Sequence, residues 1–464
     1  MSKIIGDRKF YRDVFKIAIP VMIQNGITNF VSVLDNVMVG RVGTEPMSGV
    51  AISNQLLFVF NLFVFGAISG VGIFTAQFYG ANDHKGVRYT FRMKMVICAL
   101  VSILSIGLFM WKGEQLISLF LSDDSTGDVA ATLAFGKSYL VAMFAGLPAF
   151  AFSQAYSGTL REMGETRLPM VAGVVAVAVN LFFNWVLIFG KLGAPKLGVV
   201  GAAVATVISR YVELIVVAVY TRAKAERFPF IVGAYKSLYV PGKLMGRVLL
   251  KGTPLTINEV MWAMGVSFLA QCYSTRGLSV VAAMNISNTV TNLFNIVFLS
   301  LGNVVAIIVG QQLGANKLEE AKTSAYRLIA TGVALSTLTA ALMAVTSPFV
   351  PMLYNTTDSV RSLATKILCC AALYMPVAAF VNNTYFTLRS GGKTFVTFMF
   401  DSAFMWLIVV PFAWVLSRKT AMPIIPLYLC CSFIDLIKCV VGFIMVKKGI
   451  WVNNIIEKKA VEIH

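Results

Sequence analysis

Five acidic residues stand inside otherwise apolar stretches of this chain: Asp35, Glu213, Glu259, Asp401 and Asp435. A carboxylate at the centre of a bilayer costs about 2.5–3.5 kcal/mol on insertion scales, so each one retained there needs a chemical reason. Two have a local answer. Glu213 follows Arg210 by three positions and Asp435 precedes Lys438 by three, a spacing that shares a helix face and allows an ion pair. These four residues rank second. Asp35, Glu259 and Asp401 have no basic residue within four positions on their own helix. Each must face water, an ion or a partner from another helix, and reversible binding of a proton or small cation is the chemistry open to them.

Asp35 has polar company. Asn180 and Asn184 are four apart and share a helix face, and Thr206 lies on the next span. Carboxylate, amide and hydroxyl oxygens suit a proton or a hard cation such as Na⁺. The plainer role for the two asparagines and the threonine is to cross-link helices, at about 0.6 kcal/mol each; the residues leave both readings open. Glu259 lies five residues past Pro254, and a proline there frees the Leu250 carbonyl and bends the helix. Pro20 holds the matching place in the first span, and paired breaks near polar residues point to a transport site. Pro148, Pro376 and Pro411 read as ordinary bends.

Long apolar helices must position these groups. The 464 residues are 58% hydrophobic and 13% charged, with a mean hydropathy of +0.78. A soluble domain averages roughly 25% charged residues, which excludes a soluble enzyme, a secreted disulfide scaffold and a disordered chain. Charge-poor stretches at 14–39, 47–79, 95–111, 133–158, 168–190, 197–221, 248–273, 281–313, 327–354, 362–388, 394–416 and 423–446 are each near the length of a bilayer-spanning helix. The expected fold is an all-α polytopic membrane protein of twelve transmembrane helices.

With twelve spans, both termini lie on one side of the membrane. Counting residues near span ends with the adjoining side, that side carries 27 of the 39 Lys and Arg and the other ten, while Arg210 and Lys438 fall deeper within spans. The excess marks the cytoplasmic side, so a multi-pass protein of the cell membrane with both termini cytoplasmic is expected. The net charge of +18 is then a topology signal and a contact for anionic lipid head groups, not a nucleic-acid signal. All seven cysteines fall within spans and give no disulfide framework. Only His84 and His464 are available, so no histidine metal site is expected, nor any cofactor. The N-terminus runs from basic residues straight into an apolar span, which reads as an uncleaved first helix.

An internal repeat halves the problem. At a lag of 234 residues Pro20 meets Pro254, Gly43 meets Gly277, Asn61 meets Asn295, and Gly80-Ala81-Asn82 meets Gly314-Ala315-Asn316. Further on the lag is 228: Pro148 meets Pro376, Thr159-Leu160-Arg161 meets Thr387-Leu388-Arg389, and Gly164 meets Gly392. The six residues lost lie in the loop around 112–131. Six spans per half give both halves the same orientation, a parallel repeat with the substrate site between them. The domains drawn on this basis are an N-terminal lobe at 1–221, a basic cytoplasmic linker at 222–247, a C-terminal lobe at 248–446 and a cytoplasmic tail at 447–464.

Gly391-Gly392-Lys393-Thr394 looks like the tail of a phosphate-binding loop, but Thr387 stands where the first glycine belongs. ATP is therefore not expected, and energy should come from an ion gradient. Asn355-Thr356-Thr357 fits a glycosylation pattern of a kind that recurs by chance.

These residues resemble the multidrug and toxic compound extrusion (MATE) family. The likeness is carried by Pro20, Asp35-Asn36-Val37-Met38-Val39-Gly40, the loop Leu160-Arg161-Glu162-Met163-Gly164-Glu165-Thr166-Arg167, Asn180 through Gly190, and Gly198 through Thr206. The resemblance implies two six-helix lobes and a proton- or Na⁺-coupled antiporter exporting organic, often cationic, drugs or metabolites. It further implies that Asp35 is a coupling site with Asn180, Asn184 and Thr206 as partners. Asn184 stands where some members carry Asp. Glu259 lies about a turn from a C-lobe acid of one branch, Ala378 occupies the position of another, and Asp401 is a candidate substitute.

Two other readings compete with export. A flippase for a lipid-linked saccharide needs a more basic cavity than these acids suggest. An intramembrane enzyme needs a nucleophile, acid pair or metal cluster at one depth, and none is found. Partners are expected to be a small organic substrate and membrane lipid, with no nucleic acid and a monomeric chain.

Overall fold

The computed structural model describes residues 6–120, 128–354 and 356–456. Asn355 of the glycosylation pattern, part of the 112–131 loop and His464 lie outside the described residues, as do the side chains of Asn36 and Val37.

The described residues form helices and the segments that join them, without a strand. The helices are α1 (Arg8–Gly40), α2 (Thr44–Gly80), α3 (His84–Ser118), α4 (Val129–Met143), α5 (Gly146–Glu162), α6 (Arg167–Phe189) and α7 (Gly198–Ala223). After a connecting segment come α8 (Gly242–Ser274), α9 (Leu278–Gly314), α10 (Leu318–Thr346), α11 (Asp358–Ser390), α12 (Thr394–Phe398), α13 (Val410–Lys419), α14 (Ile424–Phe433) and α15 (Leu436–Lys448). Between α12 and α13 the backbone winds as π-helix over Met399–Ala403 and Met405–Val409. Each of the twelve apolar stretches is thus built on one helix, on a broken pair or, at 394–416, on α12 and α13 joined by the π-helical winding. Among the described residues nine helical stretches, with Thr394–Lys419 and Ile424–Lys448 each taken as one, are long and apolar enough to span a bilayer, and α4 with α5, bent by 49°, makes a tenth. The remaining two, α1 and α8, are 33-residue helices holding Pro20 and Pro254, and neither proline interrupts its helix.

The sequence repeat is also a repeat of backbone conformation. Asn82 and Asn316 close their helices in the left-handed region, at φ 58° and 60°, where asparagine is tolerated better than other side chains. Gly164 and Gly392 follow suit at φ 84° and 71°. The matched residues are those the chain needs to turn out of a helix, which explains why they outlast the surrounding apolar divergence.

Two compact units result, one from residues 23–75 and 83–252 and the other from 1–22, 76–82 and 253–464. In the first, here the N-unit, Phe60, Val64, Leu140 and Ala203 share a core. There α2 and α4 approach closely at glycines: a Cβ on Gly49 would sit 2.6 Å from the Thr132 carbonyl and 2.7 Å from the Gly136 nitrogen. A fully buried Lys94 on α3 donates to Thr159 and pairs with Glu162 on α5, so this charge is matched where it is buried.

The segment 222–247 is docked, not loose. Arg92 donates to the carbonyls of Gly233 at 2.8 Å, Ala234 at 2.9 Å and Tyr239 at 3.0 Å. Arg88 donates to Phe230 at 3.2 Å. Phe230 is fully buried against Phe91.

In the C-unit, Leu301, Val305, Leu328 and Leu388 form the core. The ends of α2 and α9 cross at matched positions, since a Cβ on Gly80 would overlap the Gln311 carbonyl and one on Gly314 the Gln77 carbonyl. The buried Gln77 amide then ties down the chain after α15. Its Nε2 donates to the Ser390 carbonyl at 3.0 Å and its Oε1 accepts from the Ile455 nitrogen at 2.9 Å. Trp451 is fully buried beside them.

Candidate functional site

In the N-unit the polar residues singled out by sequence converge. Asn184 Nδ2 on α6 donates to Asp35 Oδ1 on α1 at 2.6 Å and to Asn180 Oδ1 at 3.0 Å. Asn180 Nδ2 donates to Thr206 Oγ1 on α7 at 3.2 Å, and Thr206 donates to the Ala202 carbonyl at 3.0 Å. The four-residue spacing of the two asparagines puts both on the buried face of α6, at 5% and 1% exposure, so the hydroxyl, the two amides and the carboxylate form one chain. The 2.6 Å bond is short because its acceptor is a carboxylate.

Two features of this chain bear on chemistry. Asn184 Oδ1 is buried and has no hydrogen-bond partner among the described residues, and an unsatisfied buried acceptor is costly by about 1–3 kcal/mol. Asp35 also borders a cavity of about 360 Å³ lined by Asn54, Asn61, Tyr139, Phe150, Asn184, Thr206 and Arg210, among others. Tyr139 donates to Asn54 Oδ1 at 3.3 Å across that cavity wall. Arg210 pairs with Glu213 at 3.0 Å, the local ion pair expected from their spacing. The arrangement can hold a proton or a monovalent cation on the carboxylate, with an amide oxygen and a hydroxyl at hand.

The C-unit holds a second polar group. Asn258 Nδ2 on α8 donates to Asp401 Oδ2 at 3.0 Å, while Asn258 Oδ1 accepts from the Ser402 nitrogen at 3.2 Å. Tyr385 on α11 donates to Glu259 Oε1 at 3.3 Å. Lys438 does not serve Asp435 alone: its Nζ lies 3.4 Å from Asp401 and 3.7 Å from Asp435. Tyr374 donates to Asp435 Oδ2 at 2.6 Å. The three acids left without a local cation are therefore each met from another helix, by Asn184, Tyr385 and Lys438 respectively.

The irregular backbone is not at Pro20 or Pro254, where the helices continue unbroken. Asp401 sits in a π-helical turn, a geometry common at functional sites, and Asp435 sits at the break between α14 and α15. Pro411 follows the π-helical stretch; its ring would collide with the Leu407 carbonyl in a regular α-helix, and wider winding removes that clash.

Sequence reasoning passed over Asn258, and the repeat shows what it and two basic residues correspond to. At a lag of 234, Asn258 matches Gln24; at 228, Arg389 matches Arg161 and Lys438 matches Arg210. In the N-unit Arg161 donates to Gln24 Oε1 at 3.1 Å, at the positions matched by Arg389 and Asn258. Glu259 matches Asn25, ten residues before Asp35, or about 15 Å along a helix. The two acidic groups thus occupy different depths of their repeats. Among the described residues no group of His, Cys, Asp and Glu could hold a metal ion, and the seven cysteines are free.

The MatE family model matches residues 20–186 and 256–415, most of the chain. The multidrug resistance protein MdtK of Yersinia pseudotuberculosis is 28% identical over 408 residues, covering 88% of this chain and 87% of that protein. MdtK of Yersinia enterocolitica is 27% identical over the same length. Among solved structures, MATE in a bent conformation superposes with a TM-score of 0.85 at 17% identity, covering 96% of each chain. A mutant of the Vibrio cholerae MATE transporter VcmN gives 0.84 at 16% identity, covering 96% of this chain and 98% of that one. An outward-facing multidrug resistance MATE transporter gives 0.83 at 18%, covering 96% and 97%.

Proposed function

This chain belongs to the MatE family of membrane transporters, and from that premise we propose that it is a cation-coupled antiporter exporting organic, often cationic, compounds by alternating access. The family consists of transporters, not enzymes, so the intramembrane enzyme falls away. The observation that carries the proposal is the Asp35 carboxylate, bound by the buried Asn184 amide and bordering a cavity of about 360 Å³.

Coupling runs through competition for that carboxylate. A proton or Na⁺ on Asp35, with Asn180, Asn184 and Thr206 as oxygen partners, neutralises it; its release restores the charge that favours an organic cation. Glu259 and Asp401 serve the same function in the C-unit. The lobes at 1–221 and 248–446, joined by 222–247 and followed by the tail 447–464, carry the alternation of access, with both termini in the cytoplasm. The partners are a small organic substrate and membrane lipid, and the chain acts as a monomer.

The flippase reading is disfavoured by the cavity itself. Arg210 is the one cation among its lining residues, and Glu213 already neutralises it.

Vesicles preloaded with a fluorescent organic cation test the proposal. The wild-type chain should empty them under an ion gradient, and Asp35→Asn should abolish that efflux while leaving the protein folded. Undiminished efflux by Asp35→Asn removes Asp35 from the mechanism.

A further inference from the structure

The Lys438 side chain is 4% exposed, and its ammonium lies between the carboxylates of Asp401 and Asp435, whose side chains are 17% and 15% exposed. Its distances to them, 3.4 and 3.7 Å, exceed the 2.7–2.9 Å of a charge-assisted hydrogen bond. Each carboxylate is instead fixed through its other oxygen, Asp401 by Asn258 at 3.0 Å and Asp435 by Tyr374 at 2.6 Å. The two acids are thus held independently of the lysine, and each turns its remaining oxygen toward the same point. Aromatic rings complete the surroundings. Lys438 Nζ lies 5.1 Å over the Phe404 ring, and Tyr374 packs edge-on against Phe433. Carboxylates with aromatic faces are the chemistry that recognises an organic ammonium.

Two helix irregularities create this point. The π-helical turn carries Asp401 and the α14–α15 break carries Asp435. A simple ion pair would require neither, since Asp435 and Lys438 are already three apart on one chain.

We propose that Lys438 is a specificity-determining residue, whose tethered ammonium occupies the position between Asp401 and Asp435 that an organic monocation would otherwise take. This deepens the exporter reading and rests on it for the class of ligand. Two carboxylates and one ammonium leave a single net negative charge, so the pair attracts a cation while Lys438 competes with it at the high effective concentration of a tethered group.

Equilibrium binding of tetraphenylphosphonium to the full-length protein in detergent is the test, performed with and without Asp35→Asn. Lys438→Met should tighten binding by about tenfold, as expected when a tethered competitor is removed. Lys438→Arg should stay within about twofold of the parent, because it keeps the cation in place. Lys438→Met with Asp401→Asn restores the parent's net charge and should lose most of the gain. Unchanged affinity in Lys438→Met, or a gain that survives Asp401→Asn, overturns the inference. Where Lys438→Met does not fold, Asp435→Asn serves instead: neutralising the pair should weaken binding about tenfold, and unchanged binding overturns it. A Lys438→Met gain alongside undiminished efflux by Asp35→Asn defeats the coupling reading alone. The reverse pair of results defeats this inference alone.

Discussion

Replacing Asp35 and Asn184 by alanine, singly and together, isolates the bond on which the candidate site turns. Asn184 makes two side-chain bonds through Nδ2, one to a carboxylate at 2.6 Å and one to an amide oxygen at 3.0 Å. The first is charge-assisted and contributes about 1.5–3 kcal/mol; the second is neutral and contributes about 0.5–1.5 kcal/mol. Asn184→Ala therefore loses both, and Asp35→Ala loses the first. In the double mutant the first is lost only once, so the interaction energy should be about 1.5–3 kcal/mol, read from unfolding of the detergent-purified protein. Alanine is the substitution of choice because Asp35→Asn would still bond to Asn184. Additive effects, with an interaction energy within about 0.5 kcal/mol of zero, would refute the bond between Asn184 and Asp35.

Three other outcomes are expected. Gly80→Ala and Gly314→Ala each push a methyl into a backbone carbonyl across the α2–α9 crossing, so thermal unfolding should show similar losses of about 1–3 kcal/mol for the two. A large effect of one without the other would break the structural equivalence of the repeats. Arg92→Ala removes three bonds to the carbonyls of Gly233, Ala234 and Tyr239, and limited trypsin digestion should then cut at Lys236 where the wild type resists. Trp451→Ala vacates a fully buried site, costing about 3–5 kcal/mol, and faster trypsin cleavage at Lys447 and Lys448 is the readout.

Much of this architecture was legible in the chain. Hydropathy sets twelve spans, and the repeat survives as residues that end helices, such as Asn82 with Asn316 and Gly164 with Gly392. The polar partners of Asp35 were legible too, because Asn180 and Asn184 share a face at helical spacing. What sequence could not supply is contact between distant helices. Asp35 and Asn184 are 149 residues apart, Glu259 and Tyr385 126, and Asp401 and Lys438 37; no local periodicity encodes such pairs. Pairing Lys438 with Asp435 alone followed from spacing and missed Asp401, which a π-helical turn brings nearer. The basic segment after α7 reads as a linker by composition, yet Arg88 and Arg92 hold it by bonding to its backbone carbonyls, which composition does not reveal.

An ion gradient is expected to move an organic cation through Asp35. Reconstituted protein given a proton gradient in one preparation and a Na⁺ gradient in another, with a labelled organic cation at equal concentration on both sides, measures it directly. The expected result is uphill movement of the cation under at least one gradient and none with Asp35→Asn. Absence of uphill movement under both gradients, or equal movement with Asp35→Asn, would contradict it.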